Sequence, residues 1–251
     1  MNFLKIIFLT AGLFFIFNIN SQAQKYSYAD ICEKWNLLDE QIKNGSIEYD
    51  EAVDLLKSYE PDLIRYYRSK NGREFKRSEW VFPLKNFTSV YYRENGNDYR
   101  LKKYDYFQGS NSKGHPAHDI MIFDDNKDLL DDSTMKPVDV VSMSGGIVVA
   151  TDTTWKVGSL LRGGKYVKVF DVTNKGLFYY SHLSEVIVKP GDIVIPGDKI
   201  GEVGRTGRKA ILKEGKTHVH VSYLKSEDGY PVPEDIINDL RNSQNKITRY
   251  Q

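Results

Sequence analysis

The stretch KYVKVFDVTNKGLFYYSHL, residues 165–183, determines the predicted fold class. It contains two runs rich in Val, Tyr and Phe, and the residues between them at 174–176, Asn-Lys-Gly, are typical of a tight turn. This pattern predicts two adjacent antiparallel strands. Other short runs of the same texture, bordered by Gly-Gly or Pro-Gly, follow at 138–150, 192–195 and 217–224. The sequence therefore predicts a mainly β domain built from antiparallel sheets.

The part of the chain before this domain, residues 24–79, is predicted to be a helical N-terminal segment. Its first helix shows apolar side chains three or four residues apart, at Ile31, Trp35, Leu38 and Ile42. A second helix is expected over 50–59, and Pro61 predicts a separate short turn after it. Residues 26–64 carry ten acidic and three basic side chains, whereas 65–103 carry eleven basic and four acidic ones. This change of sign indicates two differently built segments.

Composition and the N-terminus restrict the class of protein. The 251 residues have a formal net charge of +1, which excludes a strongly basic nucleic-acid-binding protein. The single cysteine, Cys32, excludes an internal disulfide and a cysteine-based zinc site. Residues 1–23 combine a basic start, a short apolar run and the small residues Ser21 and Ala23, which is typical of a secretory signal peptide. The run is too short for a membrane anchor, so we expect an exported protein, periplasmic or secreted and associated with the cell envelope.

The histidines are the most informative residues for function. All five lie after residue 114, at His115, His118, His182, His218 and His220. His115 stands four residues before Asp119, at the entry of a predicted strand, and His218 and His220 are two apart within a strand and therefore share a face. Each of these motifs alone is weak evidence for a metal site. Together they offer two histidines and a carboxylate as metal ligands, with further histidines for proton transfer. Such a set suits a catalytic zinc with an open position and also non-haem iron, and the additional histidines favour hydrolysis.

At these residues the sequence resembles the lysostaphin/LytM-type zinc endopeptidases, which cut peptide cross-links in bacterial peptidoglycan. Four family motifs occur in family order over about residues 100–225: His115 to Asp119, Tyr180-Ser181-His182-Leu183, Gly191 to Gly201, and Thr217-His218-Val219-His220. Their joint occurrence is far more specific than any one of them.

The resemblance implies Zn²⁺ as cofactor, with His115, Asp119 and His220 as its ligands and His182 and His218 as catalytic histidines. It implies the family's β-rich fold with an open groove between antiparallel sheets, over a domain at 80–230 followed by a C-terminal tail at 231–251. The expected substrate is the peptide cross-link of peptidoglycan.

The sequence departs from the family pattern at a few places. Ala117 stands where the family has Gly in the first motif, and the loop at 123–132 is long and acidic. This loop lacks the Gly and Glu of a calcium-binding loop and is expected to be solvated. His118 neighbours Asp119 on a strand, so it should point the other way and either support the ligands from behind or serve a structural role.

Three other functions stay open on the sequence. One is a catalytically silent LytM-type domain that binds the cell wall or activates another wall hydrolase. The second is a metal oxygenase or another β-fold metal enzyme, and the third is a carrier or binding module. The N-terminal segment, which has no histidine, is expected to position or restrain the groove.

Overall fold

The computed structural model describes residues 30–247, with backbone only for 245–247, and the predicted signal peptide lies outside this range. Its helices are α1 (Ile31–Asn44), α2 (Tyr49–Ser69) and α3 (Ile237–Ile247). Its strands are β1 (Leu84–Lys85), β2 (Val90–Tyr92), β3 (His118–Ile122), β4 (Asp139–Val141), β5 (Gly146–Asp152), β6 (Lys165–Asp171), β7 (Gly176–Leu183), β8 (Glu185–Val186), β9 (Ile193–Val194), β10 (Lys199–Glu202), β11 (His218–Glu227) and β12 (Tyr230–Glu234). Over the described residues, none of the helices combines the length and the apolar character that a membrane span requires.

The strands form two antiparallel sheets, which confirms the predicted mainly β fold. The larger sheet has the order β2-β3-β11-β7-β6-β5-β9, and β12 pairs with the second half of β11. The smaller sheet has the order β1-β4-β10-β8. The hairpin predicted from 165–183 is present as β6 and β7, with Asp171 paired to Gly176.

The first hydrophobic core lies between the two sheets. Alternate residues of the central strands of the larger sheet, such as Phe178, Tyr180 and Val219, are fully buried there against Val140 and Ile200 of the smaller sheet. Because strand side chains alternate between faces, the intervening residues of the same strands point to the opposite face. That opposite face carries the candidate site.

The second hydrophobic core joins the N-terminal helices to this opposite face. Trp35 of α1 packs against Phe170 of β6, with ring centroids 5.7 Å apart. Leu38 and Leu63 of the two helices are buried in the same cluster, together with Leu224 of β11. The helices therefore cover one half of the sheet face that carries the site on its other half. Gly45 ends α1 in a left-handed conformation, with φ of 66°, as the Asn-Gly pair predicts.

Two segments differ from the expectation. Pro61 lies inside the continuous helix α2 and does not begin a new turn, because Leu56 and Leu63 on either side of it are buried in the second core and packing outweighs the cost of about 3 kcal/mol of an interior proline. The segment expected as a tail, 231–251, contains most of β12 and, in its described part, helix α3. Leu240 of α3 is buried in the first core, which ties this helix to the domain.

Candidate metal and catalytic site

The three residues implied as metal ligands lie together where β3 and β11 pair. Asp119 and His220 are direct partners across the two strands, and His115 lies in the loop before β3. Nε2 of His115 and Nδ1 of His220 are each 3.1 Å from Oδ1 of Asp119. One potential ligand atom from each residue lies within 4.8 Å of the other two.

Backbone carbonyls fix the ring orientation of three histidines. In His115, His182 and His218 the Nδ1 atom lies 2.7–3.0 Å from a carbonyl oxygen. The acceptors are Asp98, Thr206 and Lys216. Because a carbonyl oxygen only accepts, the neutral rings carry their proton on Nδ1 and have a free lone pair on Nε2. This tautomer suits a metal ligand in His115 and a proton acceptor in His182 and His218.

His182 enters the site through a β-bulge at the end of β7. Lys165 and Tyr166 are consecutive on β6, yet they pair with Leu183 and Ser181, so His182 is the extra residue. Its φ of 66° is in the left-handed region, which turns its side chain toward the ligands. The ring centroid of His182 lies 4.7 Å from that of His218.

Gly207 provides the space beside the His182 ring. A Cβ atom at Gly207 would lie 2.9 Å from Nδ1 of His182 and 2.3 Å from the Arg162 carbonyl oxygen, and the φ of Gly207 is +114°. A glycine is therefore required there.

Burial and close contacts set the charges of the site. Burial by itself raises the pKa of Asp119, but hydrogen bonds from His115 and His220 outweigh it and hold that pKa well below its usual value. Burial lowers the pKa of His182 well below its usual value, and the neighbouring His218 and His220 lower it further. Burial also lowers the pKa of His220. For His115 burial alone lowers the pKa, whereas Asp119 and Asp98 together raise it above its usual value. The lowered pKa values of Asp119 and His220 favour the protonation states that a divalent metal requires, and metal binding would displace the proton that Asp119 favours on His115.

Two residues that the sequence analysis did not single out support the ligands. Asp98 is buried, its carboxylate accepts the N–H of Asp119 at 3.1 Å, and its carbonyl accepts from His115. Nη2 of Arg93 lies 3.1 Å from Oδ2 of Asp119, which leaves Oδ1 to face the two histidines. Neither residue belongs to a spaced motif, so a single sequence contains no signal for them.

His118 lies on the other side of β3, as expected for a neighbour of Asp119. It is fully buried, and its Nε2 is 2.9 Å from Oδ1 of Asp235. Its ring stacks on Tyr99 with centroids 5.8 Å apart. Its Nδ1 lies 3.4 Å from Oδ1 of Asp98, so His118 stays away from the three ligand atoms and reaches them only through Asp98.

The acidic loop is more structured than a solvated loop. Asp124 is buried and accepts hydrogen bonds from the backbone of Leu129 and from the hydroxyl of Thr217. Asp131 is also buried and accepts from Thr88. Asp124 and Asp131 therefore hold the loop onto the strands, and Asp124 fixes the residue that precedes His218.

The donor set fits zinc. Two imidazole nitrogens and one carboxylate oxygen are the ligands of many catalytic zinc sites, with a fourth position for water. The carbonyl that orients His115 and the Arg93 contact to Asp119 are the kind of supporting interactions that metal ligands require.

The site opens into a groove that has a volume of about 930 Å³. Its floor includes Tyr166, Tyr179 and Ser181 of the larger sheet, beside the histidines. Asp39 and Tyr106 line the end farther from the ligands. The groove is thus bordered there by α1 and by the 3₁₀ turn Tyr106–Asn111, whereas the family resemblance implies an open groove.

Comparison with known proteins agrees with this architecture. Residues 131–232 match the model of peptidase family M23. This range begins after His115 and Asp119 and includes His182, His218 and His220. A search of curated proteins gives no match.

Solved structures with similar folds include three peptidases. A putative glycyl-glycine endopeptidase lytM from Ruminococcus gnavus is 19% identical, with 83% of this chain and 87% of that chain covered and a TM-score of 0.47. The catalytic domain of lysostaphin from Staphylococcus simulans is 18% identical, with coverage of 68% and 94% and a TM-score of 0.37. A zinc-containing peptidase from Vibrio cholerae is 21% identical, with coverage of 64% and 39% and a TM-score of 0.36.

The family-model match covers β4 to β11 and the start of β12, and contains the motifs that follow residue 131. Residues 131–232 of the chain are therefore similar to peptidase family M23.

Proposed function

We propose that this protein is an exported zinc endopeptidase that cleaves peptide cross-links of bacterial peptidoglycan. The observation that supports this most directly is the convergence of five side chains. His115, Asp119 and His220 present three ligand atoms to one point, and His182 and His218 lie beside them with their Nε2 atoms free. Zinc at this point would polarise the scissile carbonyl and lower the pKa of a bound water to about 7.

His182 and His218 then transfer the protons of the reaction. Nε2 of one free histidine accepts a proton from the attacking water, because its Nδ1 is committed to a carbonyl. The same nitrogen, now protonated, donates to the leaving amine. The ring of the second histidine lies 4.7 Å from that of the first, and in its protonated form its Nε2–H can donate to the developing oxyanion. Asp98 holds the backbone N–H of Asp119 and Arg93 contacts its carboxylate, so both help to keep that carboxylate in place.

The test separates ligands from proton-transfer residues by measuring zinc per chain beside cleavage rate. His115→Ala, Asp119→Ala and His220→Ala should lose zinc and, with it, folding free energy. His182→Ala and His218→Ala should keep about one zinc per chain and lose about 10²–10⁴-fold in rate, the usual contribution of a positioned acid or base. His118→Gln is the matched control and should keep both zinc and most of the activity.

The substrate is purified cross-linked peptidoglycan, incubated with and without a chelator, with the fragments identified by mass. Zinc lost from His182→Ala, or full activity in His220→Ala, would contradict the assignment of roles. A zinc-loaded protein that releases no peptide fragments would instead support the silent wall-binding alternative. Iron in place of zinc in the isolated protein would support an oxygenase. Export is tested separately by N-terminal sequencing of the mature protein, which should begin at Gln24.

A further inference from the structure

One end of the groove is closed at a short distance from the proposed metal ligands. His220 pairs with Ser181, and Ser181 pairs with Tyr166, so His220 and Tyr166 lie two strands apart in one row. Neighbouring strands are about 4.8 Å apart, which puts about 10 Å between them. The Tyr166 hydroxyl donates to Asp39 of α1 at 2.7 Å. Helix α1 therefore stands over the sheet at this distance.

Buried hydrogen bonds hold the closed end of the groove together. Asp39 accepts hydrogen bonds from Tyr106, Tyr166 and Lys168, and only 2% of its side chain is exposed. These contacts join α1, the 106–111 turn and β6, and we call α1 and the 106–111 turn together the groove wall. The wall shares the second core with the sheet, so it belongs to the folded domain. An extended peptide rises about 3.3 Å per residue, so about three residues fit between the ligands and the wall.

The groove has an excess of positive charge, and among the described residues two of its cations near this end, Lys113 and Arg162, have no acidic partner within ion-pair distance. Eight basic and five acidic side chains line the groove. Lys43 pairs with Asp152 and Lys168 pairs with Asp39. By contrast, Arg162 donates from Nη1 to the carbonyl of Ser112 at 2.6 Å, a neutral acceptor, and within residues 30–247 no carboxylate lies within ion-pair distance of it.

Two contacts locate Arg162 along the groove. The next residue, Gly163, packs so closely on the floor that a Cβ atom there would be 2.0 Å from the Tyr179 hydroxyl and 3.9 Å from Cβ of Ser181. The contact with Ser112 brings the Arg162 side chain to the chain segment that follows the 106–111 turn. The guanidinium therefore lies between the histidines and the groove wall.

We propose that Arg162 binds the terminal carboxylate of a peptide substrate and that the groove wall limits the peptide to about three residues beyond the scissile bond. This inference rests on the proposed function, because it describes the substrate of the same site. In the reaction, water adds across the amide: hydroxyl goes to the carbonyl carbon, a proton goes to the amine, and the C–N bond breaks. The released fragment is then the short one that carries the free carboxyl terminus.

The experiment compares a peptide dimer isolated from cross-linked peptidoglycan, with its free carboxylate, against the same dimer with that carboxylate amidated. A hydrogen-bonded carboxylate–guanidinium contact should give the zinc-loaded protein about a 10- to 100-fold preference in kcat/KM for the free acid. Arg162→Gln should reduce this ratio to near one, and raising the salt concentration should reduce it in the unchanged protein. Arg208→Gln is the matched control, since Arg208 is exposed, lies near the same loop and is not part of the groove lining. It should keep the preference.

A third peptide, extended by six residues at the carboxyl end, tests the wall and should be cleaved at least tenfold more slowly than the unextended dimer. Equal cleavage of acid and amide, a preference that survives in Arg162→Gln, or full cleavage of the extended peptide would overturn the proposal.

Affinity of the His182→Ala variant for the acid and the amide, measured by calorimetry, separates this proposal from the proposed function. Discrimination in binding without cleavage by the unchanged protein would reject the endopeptidase and retain the carboxylate site. Cleavage without discrimination would reject the carboxylate site alone, and absence of both binding and cleavage would reject both.

Discussion

Replacement of Asp39 by Ala tests whether the groove wall is held by the buried polar network. The side chains of Asp39 and Lys168 are 2% and 13% exposed, so removal of the carboxylate leaves a nearly buried ammonium without its partner. The hydroxyls of Tyr106 and Tyr166 also lose their acceptor. Burial, together with Asp39, raises the pKa of both phenols above the usual value, so they remain neutral donors. Removing one partner of such a pair costs about 3–5 kcal/mol, and we expect a loss in that range.

The assay is equilibrium unfolding in urea followed by far-UV circular dichroism. Lys168→Met added to Asp39→Ala removes the unpaired buried ammonium. The double variant should therefore be more stable than Asp39→Ala alone by at least about 1 kcal/mol. Asp62→Ala is the control, because Asp62 forms an exposed pair with Arg65 and should cost less than about 1 kcal/mol. A loss below 1 kcal/mol for Asp39→Ala, or no recovery in the double variant, would show that the buried polar network does not hold the groove wall.

Four further predictions concern the rest of the structure. Burial alone raises the pKa of Asp152, but Lys43 and Thr154 outweigh it and lower that pKa. The Lys43–Asp152 pair therefore stabilises the folded protein above the unfolded carboxyl pKa, and this stabilisation is lost as pH falls through the folded pKa. Lys43→Met should cost about 1–3 kcal/mol in thermal or urea unfolding at pH 7, and this cost should shrink below about pH 4. Burial raises the pKa of the Cys32 thiol to about 12, so iodoacetamide at pH 8 should label it in urea but not in the native protein, and rapid native labelling would contradict its buried position. Asp98→Asn should weaken zinc binding by about 10–100-fold in a chelator competition, and an unchanged affinity would argue against its orienting role. A chain that begins at Arg73 should fail to fold, because it exposes the second core; cooperative unfolding of that fragment would show that the β domain folds without α1 and α2.

The sequence signals of the candidate site are local or strictly periodic, and the structure brings the residues that carry them together. His218 and His220 share a face because strand side chains alternate, whatever the rest of the fold. Asp119 and His115 are four apart at a strand entry, so only one long-range pairing, β3 with β11, is needed to bring them to His220. The hairpin at 165–183 follows from its turn and its β-forming residues for the same reason.

The supporting contacts could not be predicted from the sequence because they depend on long-range packing. Asp98 reaches Asp119 across 21 residues, and its position in a basic segment resembles that of an ordinary surface acid. Pro61 is a strong local signal for a helix end, yet tertiary burial of the surrounding helix outweighs it. The helices α1 and α2 show their amphipathic pattern in the sequence, but the pattern does not specify which surface they cover.

That surface has consequences for function. The apolar residues of α1 pack on the same sheet face that carries the histidines, so the fold cannot bury the helix without shortening the groove. Asp39 is part of this helix, and its only way to be buried is to receive donors from the groove floor and from the 106–111 turn. The polar network therefore satisfies the buried carboxylate of Asp39 and, under the proposed function, also sets the length of peptide that the groove accepts. A segment without any histidine thereby influences specificity through the core that it shares with the β domain.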